Sequence, residues 1–293
     1  MPELPDIELY LACLRRRIGE ARLVRWRLTS SFFLRTVDPR PEEYSGRQVA
    51  TLERLGKRIV IGFEGELFAV LHLMIAGRLR WLPRGAAVSG RIGLAAIDFD
   101  SGTLVVTEAG SKKRASLHLV RGREGLTAHD RGGLEPLAAG PEAFAAALAR
   151  ENHTLKRALT DPRLFAGIGN AYSDEILHRA RFSPLQLTRN LEGAEVVRLF
   201  EATQTVLREW RDRLIAETGD GWPEKVTAFR EGMAVHGRFR QPCPDCGAPV
   251  QRIVRAENEC NYCARCQTGG RVLADRALSR LLGKDWPRSL DES

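Results

Sequence analysis

No stretch of this 293-residue chain approaches the roughly 20 consecutive apolar residues that a membrane-spanning helix needs. The opening MPELPDIELY has no basic segment running into an apolar one, so no secretory signal is expected. The expected setting is cytoplasmic, not secreted. Cysteine is scarce, with six residues in all, which excludes a disulfide-built scaffold. No internal repeat or low-complexity tract breaks the chain, and nothing in it suggests a small-molecule cofactor.

What the chain does carry is positive charge. The formal surplus is +8 and the sequence pI about 9.5. Arg15-Arg16-Arg17, Arg54 to Arg58, Lys112-Lys113-Arg114 and the arginines near the C-terminal cysteines hold much of it. A solvated basic surface would explain this, but so would an anionic partner bound with counterion release.

Four of the cysteines, Cys243, Cys246, Cys263 and Cys266, follow the spacing C-x2-C-x16-C-x2-C. Two close pairs flanking a hairpin-length stretch suit one tetrahedral structural Zn2+. Four thiolates leave no position for water, so such a metal holds a fold and runs no reaction. Two disulfides are the alternative pairing, and Cys260 is close enough in sequence to compete as a ligand. With a basic surface, a zinc ribbon makes nucleic acid the leading partner.

Ile7, Leu11, Leu14 and Ile18 recur at helical spacing, and Gly19 ends that helix. Asp6 and Glu8 are read as first-turn acids that suit the helix dipole. From Leu23 to about Leu119, short apolar runs alternate with turns: Arg58–Phe63, Leu67–Leu73, Gly77–Leu82, Ile92–Phe99, Leu104–Val106 and Leu117–Val120. That pattern predicts a β-sandwich or barrel. Residues 121–140 read as a linker. Helices are predicted over Pro141–Arg150, Thr154–Leu159, Ala171–Arg179 with Asn170 as N-cap, and longer ones over Gly193–Glu217. Gly167-Ile168-Gly169-Asn170 opening a helix offers free N–H groups to a phosphate, or is simply a tight connection. The ribbon is expected over 240–268, followed by a last helix over Leu273–Leu282.

Pro2 follows the initiator methionine, and trimming of Met1 would leave a secondary amine at the terminus. Terminal amines titrate at roughly 7.7–8.0, so part of the population is neutral and nucleophilic near pH 7. An amine attacking an aldehyde-like carbon gives an iminium, a covalent electron sink. Glu3, next in sequence, would shuttle protons. Equally, Pro2 would be an ordinary terminal residue.

These motifs share an order. Pro2-Glu3-Leu4-Pro5-Asp6-Ile7-Glu8, Gly56-Lys57-Arg58, His72 to Gly77, Leu134-Glu135-Pro136-Leu137, Gly167 to Leu177 and Phe229 to Cys243 together resemble the formamidopyrimidine-DNA glycosylase and endonuclease VIII family. The resemblance spans about 1–268. It implies an α+β multidomain fold: an N-terminal β-sandwich with an N-terminal helix (1–130), a helical helix–two-turn–helix domain (131–236), a four-cysteine zinc ribbon (237–268) and an extension (269–293). It implies a monomer that excises oxidised or ring-opened bases from double-stranded DNA and then cleaves the strand. Pro2 would attack C1′ of a flipped nucleotide and Glu3 would assist ring opening. Lys57, and Asn170 with Gly169, would hold phosphates, and Lys156 would aid removal of oxidised guanine.

Departures from the family pattern bear on the lesion. Asn258 stands where the finger arginine belongs, and Arg252 or Arg255 are expected to substitute for it. Ile75 takes the place of the wedge methionine. The second wedge loop becomes Glu108 to Ala115, with Lys112, Lys113 and Arg114 and no aromatic. Gly219–Lys225, with Trp222, does not resemble the usual base-capping loop. Other lesion classes (oxidised pyrimidines, crosslinks), an AP lyase, or a non-catalytic damaged-DNA binder are the alternatives.

Overall fold

The computed structural model describes the chain except Ser89, Lys225, 256–257, 276–280, Leu282, 284–288 and 291–293, and except the side chains of Arg255 and Asn258. The chain forms two compact units. One comprises Met1–Arg131 and Trp210–Thr227, the other Gly132–Glu209 and Ala228–Ser293. No described helix is long and apolar enough to cross a membrane.

In the first unit, α1 (Leu4–Ile18) is followed by β1 (Leu23–Leu28), β2 (Val49–Leu55), β3 (Arg58–Phe63), β4 (Leu67–His72), β5 (Gly77–Leu82), β6 (Gly93–Phe99), β7 (Gly102–Glu108) and β8 (Ser116–Arg121). They form two antiparallel four-stranded sheets, ordered β1-β6-β7-β5 and β2-β3-β4-β8. The sandwich expectation holds. Inward residues of both sheets and the α1 stripe of Ile7, Leu11, Leu14 and Ile18 share one core. Each such side chain contributes about 1.5–3 kcal/mol by leaving water.

The apolar runs do not mark β1 and β2 as separate strands. In β1, Arg25 and Arg27 occupy strand positions because both reach the buried Asp98 on the paired β6, at 3.0 and 2.7 Å. Trp222 and Val226, from the second segment of this unit, pack on the same core. The Trp222 indole donates to the Leu79 carbonyl at 2.9 Å and lies against Tyr10 and Trp81.

The second unit holds α2 (Pro141–Ala149), α3 (Leu155–Thr160), α4 (Asn170–Ala180), most of α5 (Gly193–Thr218), the hairpin β9 (Val250–Arg255) and β10 (Asn258–Cys263), and α6 (Ala264–Thr268). Gly193–Thr218 is one helix where the sequence suggests several. Asn170 is not the N-cap of α4. Gly169 is, with φ −132°, and Asn170 is the first helical residue. Leu273 to Asp275, the start of the expected last helix, are not helical, and most of the remaining span to Leu282 lies outside the described residues.

Candidate active site and nucleic-acid interface

The chain becomes buried directly after its exposed first residue, Met1. Pro2 is buried, and Glu3, the residue preceding α1, is 3% exposed. Asp6 is not merely a dipole acid, for its buried carboxylate accepts the Glu3 N–H at 2.9 Å and fixes the chain where it enters the helix. Burial holds the Met1 α-amino group below its ordinary 8.0. Glu3 and Asp6 act against that shift, while Arg78 and Lys57 act with it. Two carboxylates and two cations thus act electrostatically on the Met1 nitrogen.

Lys57 sits in the two-residue turn joining β2 to β3, where Leu55 pairs with Arg58. Gly56 has φ +59°, a conformation that makes glycine the natural residue there. Arg54 supports the turn from beneath. Its Nη1 donates to the Gly56 carbonyl at 3.0 Å and its Nε to Glu8 at 2.9 Å. Glu8 is therefore a partner of Arg54, not a dipole residue as the sequence suggests. This ties the Lys57 turn to α1, whose first turn fixes the N-terminal end.

His72 to Gly77 form a tight reversal. The Gly77 N–H donates to the Leu73 carbonyl at 2.9 Å, and Met74 has φ +52°. A Cβ on Gly77 would lie 2.2 Å from that carbonyl oxygen, so only glycine fits. Ile75 stands at the tip, 52% exposed. Arg78 donates to the carbonyls of Ile75 at 3.2 Å and Gly77 at 2.6 Å, so one guanidinium braces the tip and adds charge near the amine.

In the neighbouring loop, buried Glu108 accepts the N–H groups of Arg114 and Ala115 at 2.8 and 3.1 Å. The basic triplet splits: Lys112 and Arg114 are exposed, while Lys113 turns back onto the Glu108 carbonyl.

In the second unit, Gly167 has φ +81° and Gly169 leads directly into α4. Asn170 Nδ2 donates to the Glu259 carbonyl of β10 at 2.6 Å. Lys156 Nζ donates to the Asn170 carbonyl and to Asp174, both at 2.6 Å. Asp174 also accepts the Asn261 N–H at 3.1 Å and lies 2.8 Å from His236 Nδ1. Glu175 accepts three backbone N–H groups, those of Ala234, Val235 and His236, at 2.7 to 2.9 Å. Helix α4 thus meets the ribbon through a buried polar seam of which apolar periodicity gives no hint.

Of the residues expected to replace the finger arginine, Arg252 bonds Glu259 at 3.2 Å and lies 4.2 Å from the Phe239 ring centroid. The backbones of Arg255 and Asn258 pair at the end of the hairpin, and their side chains lie outside those described.

The four ribbon sulfurs lie within 4.8 Å of one another, with Cys243–Cys266 at 3.9 Å and Cys246–Cys263 at 3.4 Å. These spacings are too long for disulfides and fit a tetrahedron with metal–sulfur bonds of about 2.3 Å, whose edges are about 3.8 Å. Cys266 N–H donates to Cys263 Sγ at 3.4 Å. Cys260 is not in this cluster, since its half-buried thiol, pushed up by desolvation and then by Asp174, lies at the α4 seam.

A two-sheet domain with its amine end among carboxylates, joined to a glycine-turn helix and a four-cysteine ribbon, defines the class of helix–two-turn–helix glycosylase-type proteins. Residues 1–128 match the family model of the formamidopyrimidine-DNA glycosylase N-terminal domain and residues 133–212 that of its H2TH domain. The chain belongs to the formamidopyrimidine-DNA glycosylase family. The enzymes of Thermus thermophilus and Heliobacterium modesticaldum are 33% and 32% identical over 291 and 279 residues, covering 92% and 91% of this chain and 100% of each relative. A Mycobacterium tuberculosis protein described as an uncharacterized formamidopyrimidine-DNA glycosylase-like protein is 42% identical over 155 residues, 50% of this chain and 96% of that one. Lactococcus lactis formamidopyrimidine-DNA glycosylase, solved non-covalently bound to DNA containing an AP site, shares 22% identity at a TM-score of 0.79, over 91% of this chain and 99% of that one. At that identity the likeness establishes the fold.

Proposed function

We propose that the protein is a bifunctional DNA glycosylase and AP lyase acting on oxidised or ring-opened bases of the formamidopyrimidine and 8-oxoguanine class. The observation that carries this reading is the buried start of the chain, where Pro2 and Glu3 are enclosed in the first unit and the Asp6 carboxylate holds the Glu3 N–H at 2.9 Å. Burial, with Arg78 and Lys57 acting the same way, lowers the Met1 amine's pKa; the same surroundings would favour the neutral, nucleophilic form of the Pro2 amine that removal of Met1 exposes, while Glu3 supplies a carboxyl for proton transfer.

With Met1 removed, the Pro2 nitrogen forms a bond to C1′ of the extruded nucleotide while the glycosidic bond breaks and its electron pair leaves with the base. The nitrogen gives up its proton, Glu3 protonates O4′, and the freed lone pair forms the C1′=N+ iminium as the C1′–O4′ bond breaks and the sugar ring opens. That electron sink permits loss of a C2′ proton and departure of the 3′ phosphate, and then of the 5′ phosphate. Lys57 and the Gly169-Asn170 turn hold phosphates, and Lys112, Arg114, Arg252, Arg255 and Asn258 line the further DNA contact. Ile75 enters the gap left by the flipped base. In this reading 1–130 carries the chemistry, 131–236 the helical DNA-binding module, 237–268 the ribbon and 269–293 an extension. A structural zinc is held by Cys243, Cys246, Cys263 and Cys266, as the sulfur geometry supports.

The test is borohydride trapping on duplexes bearing single lesions or an abasic site, with loss of Met1 verified by mass spectrometry. Wild-type protein forms a covalent complex, and Pro2→Gly, which replaces the secondary amine by a primary one, lowers its yield. Absence of any trapped complex from Met1-free protein would overturn the catalytic reading and leave a damaged-DNA binder.

A second reading, a glycosylase or AP lyase for oxidised pyrimidines, crosslinks or abasic sites, is favoured by the wedge region. There the exposed aliphatic tip of Ile75 is accompanied by a cationic loop without an aromatic. Cleavage confined to those substrates in the same panel would select it.

A further inference from the structure

We infer that His178 is a positioning residue of the ribbon's metal centre, donating a hydrogen bond from Nε2 to the Cys243 thiolate and fixing that ligand to helix α4. The inference rests on the zinc reading above and goes beyond it, since His178 belongs to neither the cysteine set nor the residues expected to touch DNA.

His178 is 3% exposed, and its Nε2 lies 3.3 Å from Cys243 Sγ. The Asp245 carboxylate, inside the same cysteine knuckle, is 4.0 Å away. Four thiolates fill a tetrahedral shell, so the imidazole stands outside it as a donor and not as a fifth ligand. A thiolate on a metal keeps negative charge, and a ring N–H aimed at sulfur stabilises that charge and orients the ligand. The metal cluster also has a backbone donor, Cys266 N–H on Cys263 Sγ at 3.4 Å. His178 differs because it comes from another element, 65 residues away in sequence.

The spacing along α4 gives the bond its reach. Asn170, Asp174 and His178 follow one another at intervals of four, so they share one helix face. Each meets the ribbon region: Asn170 the Glu259 carbonyl, Asp174 the Asn261 N–H and His178 the Cys243 sulfur. The helix whose first residue is the proposed phosphate contact therefore ends on a metal ligand.

The test compares wild type, His178→Phe and His178→Gln as purified full-length proteins. Zinc per chain is measured first, then the rate of zinc transfer to a chromophoric chelator, then the sulfur-to-metal charge-transfer band of the Co2+-substituted protein. Phenylalanine keeps the ring but not the donor. Glutamine can place its amide nitrogen where Nε2 stands. We expect His178→Phe to release zinc about 10- to 100-fold faster, the usual effect of losing a partner of a metal ligand, and to shift the Co2+ band. His178→Gln should stay near wild type in both. Release from His178→Phe at the wild-type rate with an unmoved band overturns the inference while leaving zinc in place. Equal loss in both variants also overturns it, since restoring a donor at that place then restores nothing. A wild-type chain without zinc overturns the metal reading itself, and the inference with it.

Discussion

Arg78 is the residue that single-sequence reading has least reason to select, for it is one of many arginines in a basic chain. The structure gives it two tasks: its guanidinium holds two carbonyls of the Ile75 reversal, and its charge lowers the amine's pKa. A neighbouring cation disfavours the protonated amine, so removing it raises the pKa. If the Pro2 amine exposed by loss of Met1 feels the same cation as the Met1 amine does, the pH profile of borohydride trapping is expected to move to higher pH in Arg78→Met than in wild type. An unshifted profile would assign Arg78 to bracing alone. The opposite lesson comes from Lys113 and Arg252. Charge marks Lys113 as a DNA contact and the missing finger arginine marks Arg252, and the structure gives each an intramolecular partner.

At the scale of elements, the β2–β3 turn shows how the proposed phosphate contact, Lys57, is held. Glu8 on α1 holds Arg54, Arg54 holds the Gly56 carbonyl, and Lys57 follows. Lys57→Met removes one cation, so the slope of log K against log salt for duplex binding is expected to shrink by about 0.9. Glu8→Gln leaves the cation but loosens its seat. It is expected to weaken binding several-fold with an unchanged slope, and to lower stability by about 2 kcal/mol, the scale of a hydrogen bond to a charged group. Fluorescence anisotropy across a salt series separates the two.

The strands flanking this turn also show what the sequence makes legible. Arg58–Phe63 is legible to the residue, because it is a mostly apolar run bounded by turn glycines. β1 is not, because Arg25 and Arg27 break the apolar pattern, and only the buried Asp98 on another strand explains them. The ribbon cysteines stand out because metal geometry imposes local spacing. The α4 seam does not, because Asp174, Glu175 and His178 find their partners 59 to 87 residues away. Gly169 displaces Asn170 from the cap because the Asn170 side chain is committed to β10.

For the whole molecule, acid sensitivity follows from two half-buried histidines of the first unit. Burial, then Arg58, Lys57 and His118, hold His72 near 4, while burial, then His129, Arg58 and Arg35, hold His118 near 4, both against an ordinary 6.5. Between about 6.5 and 4 the unfolded chain binds protons that the folded one refuses, so stability falls as pH drops through that window. Asp98 adds a further loss below it. Burial raises its pKa, but Arg27, Thr103 and Arg25 prevail and hold it at about 2, against 3.8. Its contribution is present above about pH 4 and disappears towards pH 2. Thermal melts across this range are expected to show Tm declining from about pH 6.5, with a shallower decline in His118→Asn. A Tm independent of pH down to 4 would contradict the assignment.

The first unit is discontinuous in sequence, and this governs how the protein can be dissected. A fragment ending at Arg131 retains both sheets and the proposed nucleophile but omits 210–227, and with it the indole that closes over Tyr10 and Trp81. Such a minimal catalytic piece would expose that aromatic hollow to solvent. A workable miniature would need its missing strip supplied in trans or grafted on by a linker.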